Sequence, residues 1–188
     1  MTEQRGFVLW FTGLSGAGKS TLTNLLAPRL RERGLRVEVL DGDEVRTHLS
    51  KGLGFSRADR DTNILRIAYV ARLLARNGVA VITAAISPYR ETRDAARAMV
   101  EADGVPFIEV HLAASLEACE ARDVKGLYAE ARAGKRPGFT GIDDPYEPPL
   151  QPELRLDTGS QPVEESLTAL LDLLEARGLA PAAAEAGR

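Results

Sequence analysis

The sequence predicts an α/β fold, a doubly wound, mostly parallel five-stranded sheet flanked by helices. Short apolar runs alternate along the chain with helix-length segments, the pattern of a layered α/β sheet. Val79–Ile86 is almost wholly apolar, as a central parallel strand covered on both faces must be. The glycine-rich and charged segments follow the ends of strands, where open α/β sheets bind their ligands.

Each element follows from local chemistry. Phe7–Thr12, bounded by Gly6 and Gly13, reads as a buried first strand. Lys19–Arg33 is the first helix, stopped at Gly34. Arg36–Leu40, with valines at alternate positions, is the second strand, and a short helix follows Asp43. Asp59–Arg76 is a long helix ended by Asn77-Gly78, and Val79–Ile86 is the third strand. Glu91–Ala102 is helical, Phe107–Leu112 is the fourth strand and Ser115–Arg122 is helical again. Leu154–Asp157 supplies a fifth strand, and Glu164–Arg177 is an amphipathic closing helix. Residues 1–178 form a single domain, and the Ala-rich segment Leu179–Arg188 reads as a disordered tail.

The segment from Arg122 to Pro152 breaks this rhythm. It holds four glycines and four prolines between Gly126 and Pro149 and shows little strand or long-helix signal. Within Arg122–Arg136, five Lys or Arg residues face only Asp123 and Glu130. A long irregular segment inside a compact domain is a functional lid or a linker, and its local positive charge favours a lid over phosphates.

Composition narrows the function. A chain of 188 residues with a hydrophobic fraction of 44% suits one domain with a sizeable core. A formal net charge of −3 is not that of a general nucleic-acid binder, so an anion site must be a local concentration of positive charge. One cysteine, Cys119, excludes an intramolecular disulfide and reads as a core residue. His48 and His111 share no motif and read as structural or surface residues. No apolar run approaches the ~20 residues of a membrane span, and no signal-type segment opens the chain, so a cytoplasmic protein without a membrane partner is expected.

Gly13-Leu14-Ser15-Gly16-Ala17-Gly18-Lys19-Ser20 matches the phosphate-loop pattern and lies between a predicted strand and a predicted helix. The glycines let the backbone curl so that successive N–H groups meet a phosphate, and the helix that follows adds its positive end. Lys19 neutralises phosphoryl charge, and the Ser20 hydroxyl is a ligand for Mg²⁺. A switch-type GTPase would carry an Asn-Lys-x-Asp base-reading motif, and there is none. A small-molecule kinase with ATP as donor fits better.

The acceptor side is less specific from the residues alone. Asp41-Gly42-Asp43-x-x-Arg46 ends the second strand. Its carboxylates serve metal ligation, proton acceptance or helix capping, and the pattern leaves Asp41 open between metal and cap. Arg60, Asn63 and Arg66 are spaced to share one face near the start of the long helix, as an anion-binding cluster or a solvated face.

With these blocks the chain resembles the adenylylsulfate kinase family. The resemblance rests on Gly13–Thr21, Asp41-Gly-Asp-x-x-Arg46, Gly54-Phe-Ser-x-x-Asp-Arg-x-x-Asn-Ile64, Ile86-Ser-Pro-Tyr-Arg90, Lys125-Gly-Leu-Tyr128 and Gly138-Phe-Thr-Gly-Ile-Asp-Asp-Pro-Tyr-Glu147. They run in the family's order over roughly residues 7 to 158. The resemblance implies a P-loop kinase fold and phosphorylation of the 3′-hydroxyl of adenosine 5′-phosphosulfate, with ATP and Mg²⁺, in sulfate assimilation. It implies that Phe55 and Phe139 sandwich the adenine, since a purine stacks well on an aromatic ring. Arg46, Arg60 and Asn63 would hold the phosphosulfate. Ile86, Ser87 and Lys125 would line the acceptor pocket, and Asp43 would orient or deprotonate the hydroxyl. The family's serine at the Ser87 position is often described as a phosphoserine intermediate; direct in-line transfer favours a binding role instead. Relatives of this kind are commonly homodimers. Ala85 and Val124 depart from a frequent Phe and a frequent Pro, which touches affinity rather than reaction. Two rivals stay open: another small-molecule kinase of this fold, and a nucleotide-binding regulatory protein with a decayed site.

Overall fold

The computed structural model describes residues 4–182. Its elements are β1 (Phe7–Thr12), α1 (Lys19–Glu32), β2 (Val37–Asp41), α2 (Gly42–His48), α3 (Arg57–Ala75), β3 (Ala80–Ala84), α4 (Arg90–Glu101), β4 (Phe107–Leu112), α5 (Leu116–Arg122), α6 (Leu127–Arg132), β5 (Leu154–Leu156) and α7 (Val163–Ala176). The sheet has five strands in the order β2-β3-β1-β4-β5, and each neighbouring pair is parallel. The doubly wound sheet read from the sequence is the fold observed.

Alternation along the strands splits the core in two. Phe7, Leu9 and Phe11 of β1 face one layer with Leu22, Leu26 and Leu30 of α1 and Leu170 and Leu174 of α7. Val8 and Trp10 face the other, with Ile64, Ile67 and Ala71 of α3 and Ala96 and Val100 of α4. Successive strand side chains point to opposite faces, so a strand covered on both sides is mostly apolar, and its buried polar residues need partners, as Glu109 has in Arg93. β1, β3 and β4 are buried at every position. Edge strand β2 is only half-buried, which is why its valines alternate with polar residues.

Three expectations need correction. The third strand ends at Ala84 rather than Ile86, because the chain leaves the sheet and takes a left-handed turn at Ser87, with φ of 44°. The basic segment is not wholly irregular: after left-handed Gly126 it forms the six-residue α6. Helix periodicity has little to show over so short a span. The chain also stays packed beyond 178. Gly178 turns at φ of 66°, the Leu179 N–H returns to the Leu174 carbonyl at 2.8 Å, and Leu179 and Ala180 are buried. The remainder of the expected tail, 183–188, lies outside the described residues.

Candidate active site

The segments at the carboxyl ends of β1, β2 and β3 and the basic segment enclose one cavity of about 880 Å³. Every residue expected in the site lines it except Gly13 and Leu14, and Arg66 lies outside it, exposed and donating to the Leu49 carbonyl at 3.2 Å. Gly13 and Leu14 form the back of the phosphate loop. A Cβ on Gly13 would lie 2.6 Å from the Leu112 carbonyl, and Leu14 is buried in the core.

The phosphate loop is shaped by left-handed glycines, Gly16 at φ of 78° and Gly18 at 99°. α1 then begins at Lys19 with no side-chain cap and no acidic residue in its first turn. An uncapped, unneutralised helix start suits an anion. The carbonyls of Gly13 to Ala17 each accept a side-chain hydrogen bond. The Tyr128 hydroxyl donates to the Ser15 carbonyl at 2.8 Å, the Arg122 guanidinium to that of Gly16 at 3.1 Å, and the Thr158 hydroxyl to that of Ala17 at 2.7 Å. Lys19 Nζ donates to the carbonyls of Gly13 and Leu14, both at 2.8 Å. With the oxygens tied back, the loop presents N–H groups. Burial holds the Lys19 ammonium down to about 8, well below an ordinary lysine.

Ser20 and Asp41 meet at the next strand end. The Ser20 hydroxyl donates to Asp41 Oδ2 at 3.2 Å, and Asp41 Oδ1 accepts from the Asp43 N–H at 2.9 Å. Asp41 therefore caps α2, the capping alternative read from the sequence, and its other oxygen accepts from the Ser20 hydroxyl. The described residues contain no cluster of three or more His, Cys, Asp or Glu fit to hold a metal. A hydroxyl backed by one carboxylate fits Mg²⁺, which keeps waters and takes phosphate oxygens rather than a full protein cage. Asp43 is exposed and paired with Lys125 from the basic segment.

The acceptor half is built on the start of α3. Ser56 caps the helix, its hydroxyl accepting from the Asp59 N–H at 3.2 Å, and this fixes the turn carrying Phe55. Phe55 is 60% exposed, with the Arg46 guanidinium stacked on its ring at 4.4 Å. Burial, and then the neighbouring Arg60 charge, lower the Arg46 pKa. Two guanidiniums close enough to disfavour each other mark a place where an anion would be welcome. The Asn63 side chain is buried and its Oδ1 has no hydrogen-bond partner among the described residues, which also suits a ligand.

Arg60 is more engaged than expected. It donates to the Phe55 carbonyl at 2.8 Å and Asp144 Oδ2 at 3.1 Å, and it contacts the Thr140 hydroxyl and the Gly138 carbonyl. The Tyr89 hydroxyl donates to the same Asp144 carboxylate. Arg60 thus fastens the Gly138–Asp144 turn, which carries Phe139, to α3. Phe139 packs edge-on against Tyr128 at 5.0 Å between centroids.

Ser87 lies deep, 1% exposed, on the loop after β3. Its Oγ accepts from Trp10 Nε1 at 3.2 Å. Its carbonyl accepts from Arg93 Nη1 at 2.7 Å and from the Thr12 hydroxyl at 3.3 Å. The residues that sequence reasoning missed are these supports: Tyr128, Arg122 and Thr158 as carbonyl partners, Asp144 behind Arg60, and Trp10 and Arg93 around Ser87. Tyr128 and Asp144 lie inside blocks already singled out, and Arg122 opens the basic segment; Thr158, Trp10 and Arg93 carry no local signal. Cys119 is a buried thiol of the core. His111 is buried in β4 and stacks on Tyr146 at 5.9 Å.

Comparison with known proteins agrees with this architecture. The family model described as adenylylsulphate kinase matches residues 5–157. The chain is 57% identical over 176 residues to the adenylyl-sulfate kinase of Rippkaea orientalis, covering 94% of this chain and 95% of that protein. It superposes with a TM-score of 0.88 on the Mycobacterium tuberculosis APS kinase CysC in complex with AMPPNP and APS, at 47% identity, covering 92% of this chain and 99% of that one. The hexameric APS kinase from Thiobacillus denitrificans matches with a TM-score of 0.72 and 42% identity, over 94% of this chain and 30% of that one.

Proposed function

The chain belongs to the adenylylsulphate kinase family, and from that premise we propose that it transfers the γ-phosphoryl group of ATP to the 3′-hydroxyl of adenosine 5′-phosphosulfate. The products are 3′-phosphoadenylylsulfate and ADP, a step of sulfate assimilation. The observation that carries this reading is the single cavity of about 880 Å³ in which the phosphate loop faces Arg46, Phe55, Asn63 and Phe139. One half suits a triphosphate, the other an anionic adenine nucleotide.

In this reading the N–H groups of the loop bind the β-phosphate and Lys19 leaves its two carbonyls to follow the γ-phosphoryl group. The P–O3′ bond forms as the bond to the bridging oxygen of ADP breaks, in line. Asp43 orients the 3′-hydroxyl and accepts its proton, and Lys125 balances the charge there. Ser20, backed by Asp41, would hold Mg²⁺ with the phosphates. When bound, the ion neutralises charge on the phosphoryl oxygens. Arg46, Arg60 and Asn63 hold the phosphosulfate, while Ile86 and Ser87 line the floor. Ser87 binds rather than carries phosphate, a role supported by its 1% exposure and its hydrogen bond from Trp10.

No helix among the described residues is long and apolar enough to cross a membrane. A cytoplasmic homodimer completes the proposal; the free thiol of Cys119 is compatible with a reducing compartment. The deciding experiment is ADP release measured with and without adenylylsulfate, alongside Lys19→Ala. We expect turnover that requires adenylylsulfate and is abolished in a folded Lys19→Ala variant. Turnover indifferent to adenylylsulfate, or near-normal rates without the lysine, would overturn the assignment.

A further inference from the structure

Ser87 is held in a conformation it would not choose. Its φ of 44° lies in the left-handed region, uncommon for a residue with a side chain. Such a conformation persists only where the surroundings over-determine it. Here they do so from both ends of the residue, and neither support belongs to the cavity lining.

The first support is Trp10, fully buried in the middle of β1 and stacked on Phe107 at 5.4 Å. An indole N–H can only donate, and Trp10 Nε1 donates to Ser87 Oγ. That bond uses an accepting lone pair of the hydroxyl, and Ser87 Oγ has no other hydrogen-bond partner among the described residues. Its own proton has no acceptor among the described residues, and Ser87 lines the cavity. The second support is Arg93, 2% exposed, whose fork has three destinations: Glu109 Oε1 at 2.9 Å, the Ser87 carbonyl at 2.7 Å and the Glu147 carbonyl at 2.6 Å. Pairing with Glu109 keeps the buried charge balanced, which leaves the remaining donors to bind the β3–α4 loop to the far end of the basic segment.

We propose that Trp10 and Arg93 are positioning residues that together lock Ser87 as a one-way hydrogen-bond donor to the acceptor nucleotide. Trp10 sets the direction of the hydroxyl, and Arg93 sets the backbone that carries it. Neither touches substrate, and both act on the acceptor half alone. The inference rests on the functional reading above, in which Ser87 faces adenylylsulfate.

The test uses Trp10→Phe, which keeps the ring stack and removes the N–H, and Arg93→Lys, which keeps the charge facing Glu109 and loses the fork. Thermal unfolding establishes that each variant is folded. We expect KM for adenylylsulfate to rise about tenfold, the worth of one well-placed hydrogen bond, with KM for ATP unchanged. In a Ser87→Ala background the same substitutions should add nothing, because the hydroxyl they direct is gone. A folded variant with KM for adenylylsulfate within about twofold of wild type, or costs that multiply in the Ser87→Ala background, would overturn the proposal. Trp10 is the sole tryptophan, so the wild-type protein offers a measurement free of folding defects. Adenylylsulfate should shift its emission and a non-hydrolysable ATP analogue alone should not; emission blind to adenylylsulfate would refute the coupling. Wild-type turnover that ignores adenylylsulfate would instead refute the functional reading, so the two failures are distinguishable.

Discussion

Raising the pH should weaken ATP binding well before the fold is affected, and the cause is Lys19. Its ammonium is enclosed by the phosphate loop, and burial holds its pKa at about 8 despite two carbonyl partners. A polyanion in the loop favours the charged form, so the bound lysine titrates higher than the empty one. Binding above pH 8 must then take up a proton. If the bound pKa lies well above the range tested, apparent Kd scales as one plus the ratio of neutral to charged lysine in the empty enzyme. That factor is about 1.3 at pH 7.5 and about 11 at pH 9, an eightfold loss of affinity, or roughly 1.2 kcal/mol. Calorimetric titration with a non-hydrolysable ATP analogue, in two buffers of different ionisation enthalpy, measures affinity and proton uptake together. The expected uptake at pH 9 is close to one proton. A Kd flat across this range, with no uptake, would refute the argument that Lys19 is desolvated in the empty site.

Two further outcomes follow from the aromatic residues and from His111. Phe139→Ala and Phe55→Ala should each raise KM for adenylylsulfate about tenfold with little effect on KM for ATP, since stacking on a base contributes about 1–3 kcal/mol; steady-state kinetics with each substrate varied in turn measures this. Burial, aided by the charges of Arg155 and Arg93, lowers His111 to about 4 in the folded protein. On acidification the unfolded chain therefore binds its proton first, from about 6.5 downward, and stability falls as pH drops towards 4. The loss traced to His111 should reach about 2 kcal/mol at pH 5, and denaturant unfolding of His111→Phe should show a correspondingly shallower pH dependence.

Much of the fold could be read in advance because its signals are local. β1 and β3 are nearly apolar runs because both faces of each strand are covered, and α3 announces itself through Asn77-Gly78 at its end. The phosphate loop is equally local: glycines, lysine and serine are contiguous because one turn of backbone must wrap one phosphate. The supports of the site are different. Arg122 reaches Gly16 across 106 residues, Thr158 reaches Ala17 across 141, and Trp10 reaches Ser87 across 77. Periodicity cannot encode such pairings, because they exist only once the sheet brings strand ends together. Arg60 shows the same limit from another side. Its place near the start of α3 is legible, as one face of an anion-binding cluster or a solvated helix, but its bonds to the Gly138–Asp144 turn depend on a segment whose path the sequence leaves undefined.

The anchored carbonyls of the phosphate loop have a consequence for anyone who would transplant it. The octapeptide carries its glycines and Lys19 wherever it is spliced, but Tyr128, Arg122 and Thr158 stay behind. Freed of those anchors, the peptide planes could flip and turn oxygens toward the phosphates they should attract. Affinity for ATP is in this sense a property of the scaffold's far end, spelled out after residue 120 and merely displayed at residue 13.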